Sequence, residues 1–202
     1  MSNEKQVDSG RRFLLGATCA AGGAVAVGTG AVLVSTFQPS EKAKAAGASV
    51  EVDIAGMAPG EMKTVEWRGK PVWILKRSEE MVKSLSTTNA NVADPKSERS
   101  PDDLTPEYAR NEHRSRKPDL LIAVGICSHL GCSPTSKFTA GAQPNLPDNW
   151  AGGFLCPCHG STFDLAGRVF KNMPAPDNLQ VPRHMFLSDN SLIIGKDEKG
   201  EA

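Results

Sequence analysis

The first long pattern in the chain is an absence of charge. From position 13 to position 40 no residue is acidic or basic, and most of the run is Ala, Gly, Val and Leu. About 20 apolar residues suffice to cross the hydrocarbon core of a bilayer as a helix, so the run predicts a transmembrane anchor over 13–38. Its many small residues suit packing against neighbouring membrane helices. A buried soluble helix is the competing reading, disfavoured by the length of the run and by the basic residues before it. Lys5, Arg11 and Arg12 precede the run, which by the positive-inside rule places residues 1–12 in the cytoplasm and the rest of the chain outside. Ala43-Lys44-Ala45 could pass for a signal-peptidase site, but the apolar region is longer than the ~7–15 residues of a secretory signal. An uncleaved anchor is therefore expected. Positions 39–49 are small and polar without apolar periodicity and read as a linker; the same Ala and Lys residues could extend the membrane helix.

Beyond position 49 the period shortens to two. Val50-Glu51-Val52-Asp53-Ile54 and Lys63-Thr64-Val65-Glu66-Trp67 alternate, and Val72-Trp73-Ile74-Leu75 follows Gly69. Ser78 caps a short predicted helix through Lys83. Positions 87–118 are polar and proline-punctuated, a long loop with a little helix. Leu120-Leu121-Ile122-Ala123-Val124-Gly125-Ile126 reads as a buried strand, and late strands are expected over 180–187 and 192–195. Trp67, Trp73 and Trp150 are candidates for the core. The fold class is mainly β, as one head over 50–202 behind a single N-terminal transmembrane helix.

Charge and composition narrow the function. The 23 basic and 23 acidic residues cancel, no basic helix or stripe is present, and aromatics are few, which excludes nucleic acid as a partner. Four of the five cysteines fall in two tight boxes, each with a histidine: Cys127-Ser128-His129-Leu130-Gly131-Cys132 and Cys156-Pro157-Cys158-His159-Gly160-Ser161. Clustered cysteines with interleaved histidines are the pattern of a metal or cofactor site. Once two Cys and two His are spent on a cluster, each box has one cysteine left over. A structural zinc site also takes two Cys and two His. The extra cysteines and the anchor weigh against it. Cys19 in the apolar run, His113 in the polar loop and His184 in a late strand read as packing or surface residues.

These boxes, with the anchor and the alanine-rich linker, resemble the Rieske proteins of cytochrome bc complexes, over the whole chain. The resemblance implies a twisted antiparallel β-head with a small cluster-binding subdomain at about 125–178. It implies one 2Fe–2S cluster, with Cys127 and Cys156 on one iron and His129 and His159 on the other, and a Cys132–Cys158 disulfide bracing the two loops. His159 is implied as the group that hydrogen-bonds quinol, and Ser161 as a hydroxyl donor to a cluster sulfur. Leu130 would shield the cluster at the docking surface. Met173-Pro174-Ala175-Pro176 matches the proline segment that covers a third side, with Met173 where a glycine usually leads. Mitochondrial relatives carry a tyrosine where this chain has Phe163, so a potential in the lower part of the Rieske range is expected.

Two imidazoles in place of two thiolates remove negative charge, which lifts such clusters to roughly −150 to +300 mV, against about −400 mV for all-cysteine plant-type ferredoxins. A bound imidazole also keeps a second nitrogen for a proton, which suits quinol as a donor. By the same resemblance the chain is the electron-transfer subunit of a quinol–cytochrome c oxidoreductase, not active alone. Its partners would be cytochrome b and cytochrome c1 in a dimeric complex of a bacterial plasma membrane, with the head in the periplasm. Ser9-Gly10-Arg11-Arg12-Phe13-Leu14-Leu15 resembles a twin-arginine export signal with Gly10 in place of its first arginine. The small Rieske subunit of a molybdenum oxidase such as arsenite oxidase, and a soluble Rieske ferredoxin, remain as alternatives.

Overall fold

A computed structural model describes residues 8–40, 43–44, 47–99 and 104–201, and the chain divides into two compact units, 1–45 and 46–202. Lys5 and positions 41, 42, 45 and 46 of the expected linker lie outside the described residues. The first unit contains α1 (Ser9–Ser35), 27 residues long. At 1.5 Å per residue that is about 40 Å, enough to span the ~30 Å hydrocarbon core with a turn to spare at each end. The helix starts before the uncharged run because the Asp8 carboxylate caps it, accepting from the backbone N–H groups of Gly10 and Arg11. Arg11 and Arg12 thereby fall in its first turns. It ends at Ser35, three residues short of the expected 38.

The second unit is built on antiparallel pairs throughout its described strands. β1 (Val50–Asp53), β9 (Ser191–Ile194) and β8 (His184–Phe186) form one sheet in the order β1-β9-β8. β2 (Met62–Trp67), β3 (Lys70–Lys76) and β4 (Leu120–Val124) form a second. β5 (Thr135–Lys137), β6 (Gly153–Leu155) and β7 (Thr162–Asp164) form a third, and β10 (Lys196–Asp197) pairs with β11 (Gly200–Glu201). α2 (Glu79–Thr88) follows β3 with Ser78 as its cap, and a 3-10 turn lies at Glu107–Ala109.

The central β2-β3-β4 sheet explains the apolar run at 120–126. Every residue of β4 is buried, because the sheet packs on both faces and needs no polar alternate. Val72, Ile74, Leu120, Ile122 and Val124 point into one core with Val52, Leu192 and Ile194. Trp73, Leu75, Leu121 and Ala123 point into another, with Phe154, Phe163, Cys127 and Cys156. There Trp73 stacks on Phe154 at 4.8 Å. A Cβ on Gly125 would stand 2.2 Å from the Trp73 ring, so only glycine lets β4 pass the indole on its way to the first box. Trp67 and Trp150 are buried too, as expected.

Three buried arginines, unforeseen in the sequence, tie the β7 end to the rest. Arg168 is fully buried and pairs with the equally buried Asp164 at 2.7 Å. It also donates to the carbonyl of Leu85 and the hydroxyl of Thr88, supplying a cation at the C-terminal end of α2, whose own last turn has none. Arg114 donates to the carbonyls of Ala166, Gly167 and Leu179 and to the hydroxyls of Ser97 and Thr105. Arg77 donates to the carbonyls of His113 and Leu165 and to Ser115. The turn over 164–168 is thus held by all three guanidiniums. Burial lowers Arg77 and Arg114 to about 10, which leaves both charged at neutral pH. Arg114 adopts φ 48°, a conformation that costs an ordinary residue roughly 1–3 kcal/mol and persists because five partners hold the side chain.

The expected strand over 180–187 shortens to His184–Phe186. Pro182 has no N–H to give, and Val181 donates instead to the Leu104 carbonyl. His184 is a packing residue: buried edge-on against Tyr108, with Nδ1 on the Pro182 carbonyl.

Replacing Arg168 with methionine leaves the Asp164 carboxylate buried without its partner, and the head should lose about 3–5 kcal/mol in denaturant unfolding. Lys83→Ala, at an exposed helix position, should stay within about 0.5 kcal/mol. Burial also pushes the His184 imidazole from 6.5 down to about 4. The folded head therefore binds the neutral ring, and its contribution is complete above the unfolded value and lost as pH falls towards the folded one. Between pH 7 and 4 the unfolding free energy should fall by on the order of 3 kcal/mol more than in His184→Leu. Parallel pH profiles would contradict this.

Candidate metal centre

Two loops at the end of the second unit share one backbone design. In the first, the Cys127 N–H donates to the Cys132 carbonyl at 2.8 Å, and the Gly131 N–H donates to the Cys127 carbonyl at 3.1 Å. In the second, the Cys156 N–H donates to the Ser161 carbonyl at 2.8 Å, and the Gly160 N–H donates to the Cys156 carbonyl at 3.0 Å. Each loop is closed by the same pair of bonds at the same spacing. The closing turn requires φ 84° at Gly131 and 76° at Gly160, which explains the glycine four residues after each leading cysteine. Cys132 and Cys158 join the loops through a disulfide, as the resemblance implied.

Both loops are also fastened to the segment 173–177. The Ser128 hydroxyl donates to the Asp177 carbonyl at 2.6 Å and lies 3.3 Å from the Asp177 N–H. The Ser161 hydroxyl accepts from the Ala175 N–H at 3.0 Å. Sequence reasoning placed Pro174 near the site and missed Ser128, whose hydroxyl is the tether for the first loop. A serine between a cysteine and a histidine is the only signal that could have raised it. Pro174 itself is exposed.

The leading residues of the two boxes come together. Cys127 and Cys156 are free thiols, each 2 % exposed, packed among Phe154, Phe163 and Ala175. The imidazoles of His129 and His159 stand edge to face, ring centres 4.6 Å apart, with His129 half-buried and His159 exposed. Burial pushes the Cys127 thiol up, and the adjacent Cys156 thiol adds to this; hydrogen bonds from the His129 N–H and the Ser161 hydroxyl act the other way. Ser161 is itself fully buried, with its hydroxyl in hydrogen-bond reach of the Cys127 thiol. Phe163 is fully buried in the core and brings no hydroxyl to the site. Leu130 is 71 % exposed on the tip.

This donor set fits a thiolate- and imidazole-ligated metal group. The buried Nδ1 of His129 has no hydrogen-bond partner among the described residues. An unpaired buried polar atom costs roughly 1–3 kcal/mol, and a metal that takes its lone pair removes that cost. Two buried cysteines deprotonate most easily when a cation lies between them. The sulfurs of Cys132, Cys156 and Cys158 also lie within 4.8 Å of one another, but the disulfide occupies two of the three. Cys156 is therefore the one free thiol of that trio.

Residues 109–183 match the family described as "Rieske [2Fe-2S] domain". The chain is 50 % identical over 190 residues to the ubiquinol–cytochrome c reductase iron–sulfur subunit of Allochromatium vinosum, covering 93 % of this chain and 88 % of that one. It is 42 % identical over 148 residues to the mitochondrial Rieske subunit of the cytochrome b–c1 complex of Zea mays, covering 73 % of this chain and 46 % of that protein. The chain thus spans about half the length of the plant relative. A solved structure described as a hyperthermophilic respiratory Complex III aligns with a TM-score of 0.46 at 25 % identity, over 90 % of this chain and 98 % of that one. With two Cys-and-His loops clasped by a disulfide, and half of its residues shared with the Allochromatium protein across nearly its full length, the chain belongs to the family of Rieske iron–sulfur subunits of ubiquinol–cytochrome c reductases.

Proposed function

We propose that the chain is the electron-accepting subunit of a bacterial quinol–cytochrome c oxidoreductase, with its second unit as the redox head. The observation that carries this reading is the pairing of a histidine with a buried thiol in each of two matched loops, His159 exposed and His129 half-buried. Cys127 and Cys156 would hold one iron of a 2Fe–2S cluster, and His129 and His159 the other. When bound, the cluster supplies a one-electron acceptor whose potential is raised by its two neutral imidazole ligands.

The chain's own residues do the rest. His159 presents its imidazole at the surface, where its ring can accept a hydrogen bond from a quinol hydroxyl and hold the proton. Leu130 offers an apolar face beside it, fitted to an apolar quinol pocket in a cytochrome b partner. Pro174 and the segment around it close a further side and keep water from the buried sulfurs. Ser161 gives its hydroxyl to sulfur, which favours the more negative, reduced state. Phe163 brings none, and the potential sits in the lower part of the range for this class. The electron then passes to a haem of the cytochrome c1 type in a dimeric complex. The α1 helix anchors the chain in the plasma membrane, with residues 1–12 cytoplasmic and the head periplasmic. The Allochromatium relative is named for ubiquinol–cytochrome c reductase and the Zea mays relative for the cytochrome b–c1 complex, which favours this reading over the small subunit of a molybdenum oxidase.

Low-temperature EPR of ascorbate-reduced membranes containing the chain should show a mixed-ligand 2Fe–2S signal whose shape changes when a quinol-site inhibitor is added. A signal indifferent to the inhibitor, or none in a folded sample, would overturn the assignment. Ser161→Ala should keep that signal and lower the midpoint potential by roughly 50 mV, the one-electron equivalent of one hydrogen bond worth about 1 kcal/mol. An unchanged potential would remove Ser161 from its role.

A further inference from the structure

The free Cys156 thiol lies beside the disulfide. The Sγ atoms of Cys132, Cys156 and Cys158 all lie within 4.8 Å of one another, and Cys127 stands outside that trio. Thiol–disulfide exchange proceeds by attack of a thiolate on one sulfur of a disulfide. Reacting atoms must come to about 3–3.5 Å and in line with the bond that breaks, so Cys156 has to approach by roughly 1 Å and swing to the Cys132 end of the disulfide. Resting on the reading that Cys156 is a cluster ligand, we propose that in the cluster-free chain Cys156 attacks the Cys132–Cys158 bond and pairs with Cys132.

The step balances without any outside oxidant. The Cys156 sulfur forms a bond to Cys132 Sγ, the Cys132–Cys158 bond breaks, and the electron pair leaves on Cys158, which takes up the proton that Cys156 gave up. Two features choose this product. Only Pro157 separates Cys156 from Cys158, and its fixed φ opposes the tight ring that a bond between those two would close. Cys158 is exposed while Cys132 is half-buried, so the departing thiolate is hydrated when it is Cys158 that leaves. The exchanged head has lost a ligand thiol and can no longer hold a cluster on its four leading residues. A bound cluster occupies Cys156 and so protects the disulfide. Iron–sulfur loading therefore has to precede the thiol oxidation that closes Cys132–Cys158, or the head is trapped.

The test uses the full chain, purified in detergent with its cluster. The sample is divided, and one half is stripped with an iron chelator under anaerobic conditions without reductant. Both halves are quenched in acid, alkylated under denaturing conditions, digested without reduction and sequenced by mass spectrometry. Fragmentation between Cys127 and Cys132, and at Pro157, locates the alkyl groups. Before stripping, the Cys132–Cys158 pair is expected, with label on Cys127 and Cys156 as the cluster is lost in the quench. After stripping, label should move from Cys156 to Cys158 in at least one molecule in ten, while Cys127 stays labelled. Cys156→Ser should keep the original pair. Label moving from Cys156 to Cys158 in fewer than one molecule in ten would overturn the proposal, and so would a mixture of all pairings that includes Cys127, the product of an unfolded chain. A starting sample without the absorption of an iron–sulfur cluster would instead sink the cluster assignment, and this inference with it.

Discussion

The tip of the head depends on one cross-link. Cys132 and Cys158 come from loops on opposite sides of the β5–β6 excursion, 26 residues apart in sequence, and their bond brings the two boxes face to face. Closing a loop of that length removes chain entropy worth about 3–4 kcal/mol from the unfolded state. The gain matters here because each box is a short loop with little apolar surface of its own. The matched backbone bonds in 127–132 and 156–161 shape each loop, and the disulfide sets one against the other. The segment 173–177 then fastens to both, through Ser128 and Ser161. His129, His159, Cys127 and Cys156 inherit their meeting point from these three restraints.

Beneath the loops the support is polar as well as apolar. Cys127 and Cys156 rest on Trp73, Phe154 and Phe163, an aromatic floor laid down by β3, β6 and β7. The turn that leaves β7 would unravel into the long segment before β8 if nothing held it. Arg77, Arg114 and Arg168 do so by donating to the carbonyls of Leu165, Ala166 and Gly167 and to Asp164. Because these guanidiniums also reach α2 and the residues Ser97, Thr105, His113 and Ser115, one buried network joins the floor of the site to the outer parts of the head. Breaking a buried pair of this kind is costly, since the remaining charge has no water to turn to.

What could be read from the sequence follows from how locally each feature is encoded. The two boxes are legible because thiol, imidazole and glycine must stand at fixed short spacings to make such a loop. The helix at Ser9–Ser35 is legible because a membrane span needs length and apolarity and little else. The run at 120–126 was readable as a buried strand, since a sheet covered on both faces has no polar alternate. The buried arginines were not legible: Arg77, Arg114 and Arg168 look like any solvated charge until partners 4 to 88 residues away are known. The same network carries α2 on to Thr88, past the predicted Lys83, because Arg168 satisfies its C-terminal carbonyls. Pro182 trimmed a strand that apolar alternation alone had lengthened. His129 was legible as a candidate ligand, and its half-burial beside an exposed His159 was not legible.

The central claim is that two histidines and two cysteines of this chain share one 2Fe–2S cluster. It is tested most directly by preparing the full chain with 15N-labelled histidine and recording pulsed EPR on the reduced protein, alongside an iron and sulfide assay. The account predicts two iron and two sulfide per chain and two distinct 15N couplings, one of which disappears in each of His129→Cys and His159→Cys. A cluster with no nitrogen coupling, or one whose couplings survive both substitutions, would contradict it.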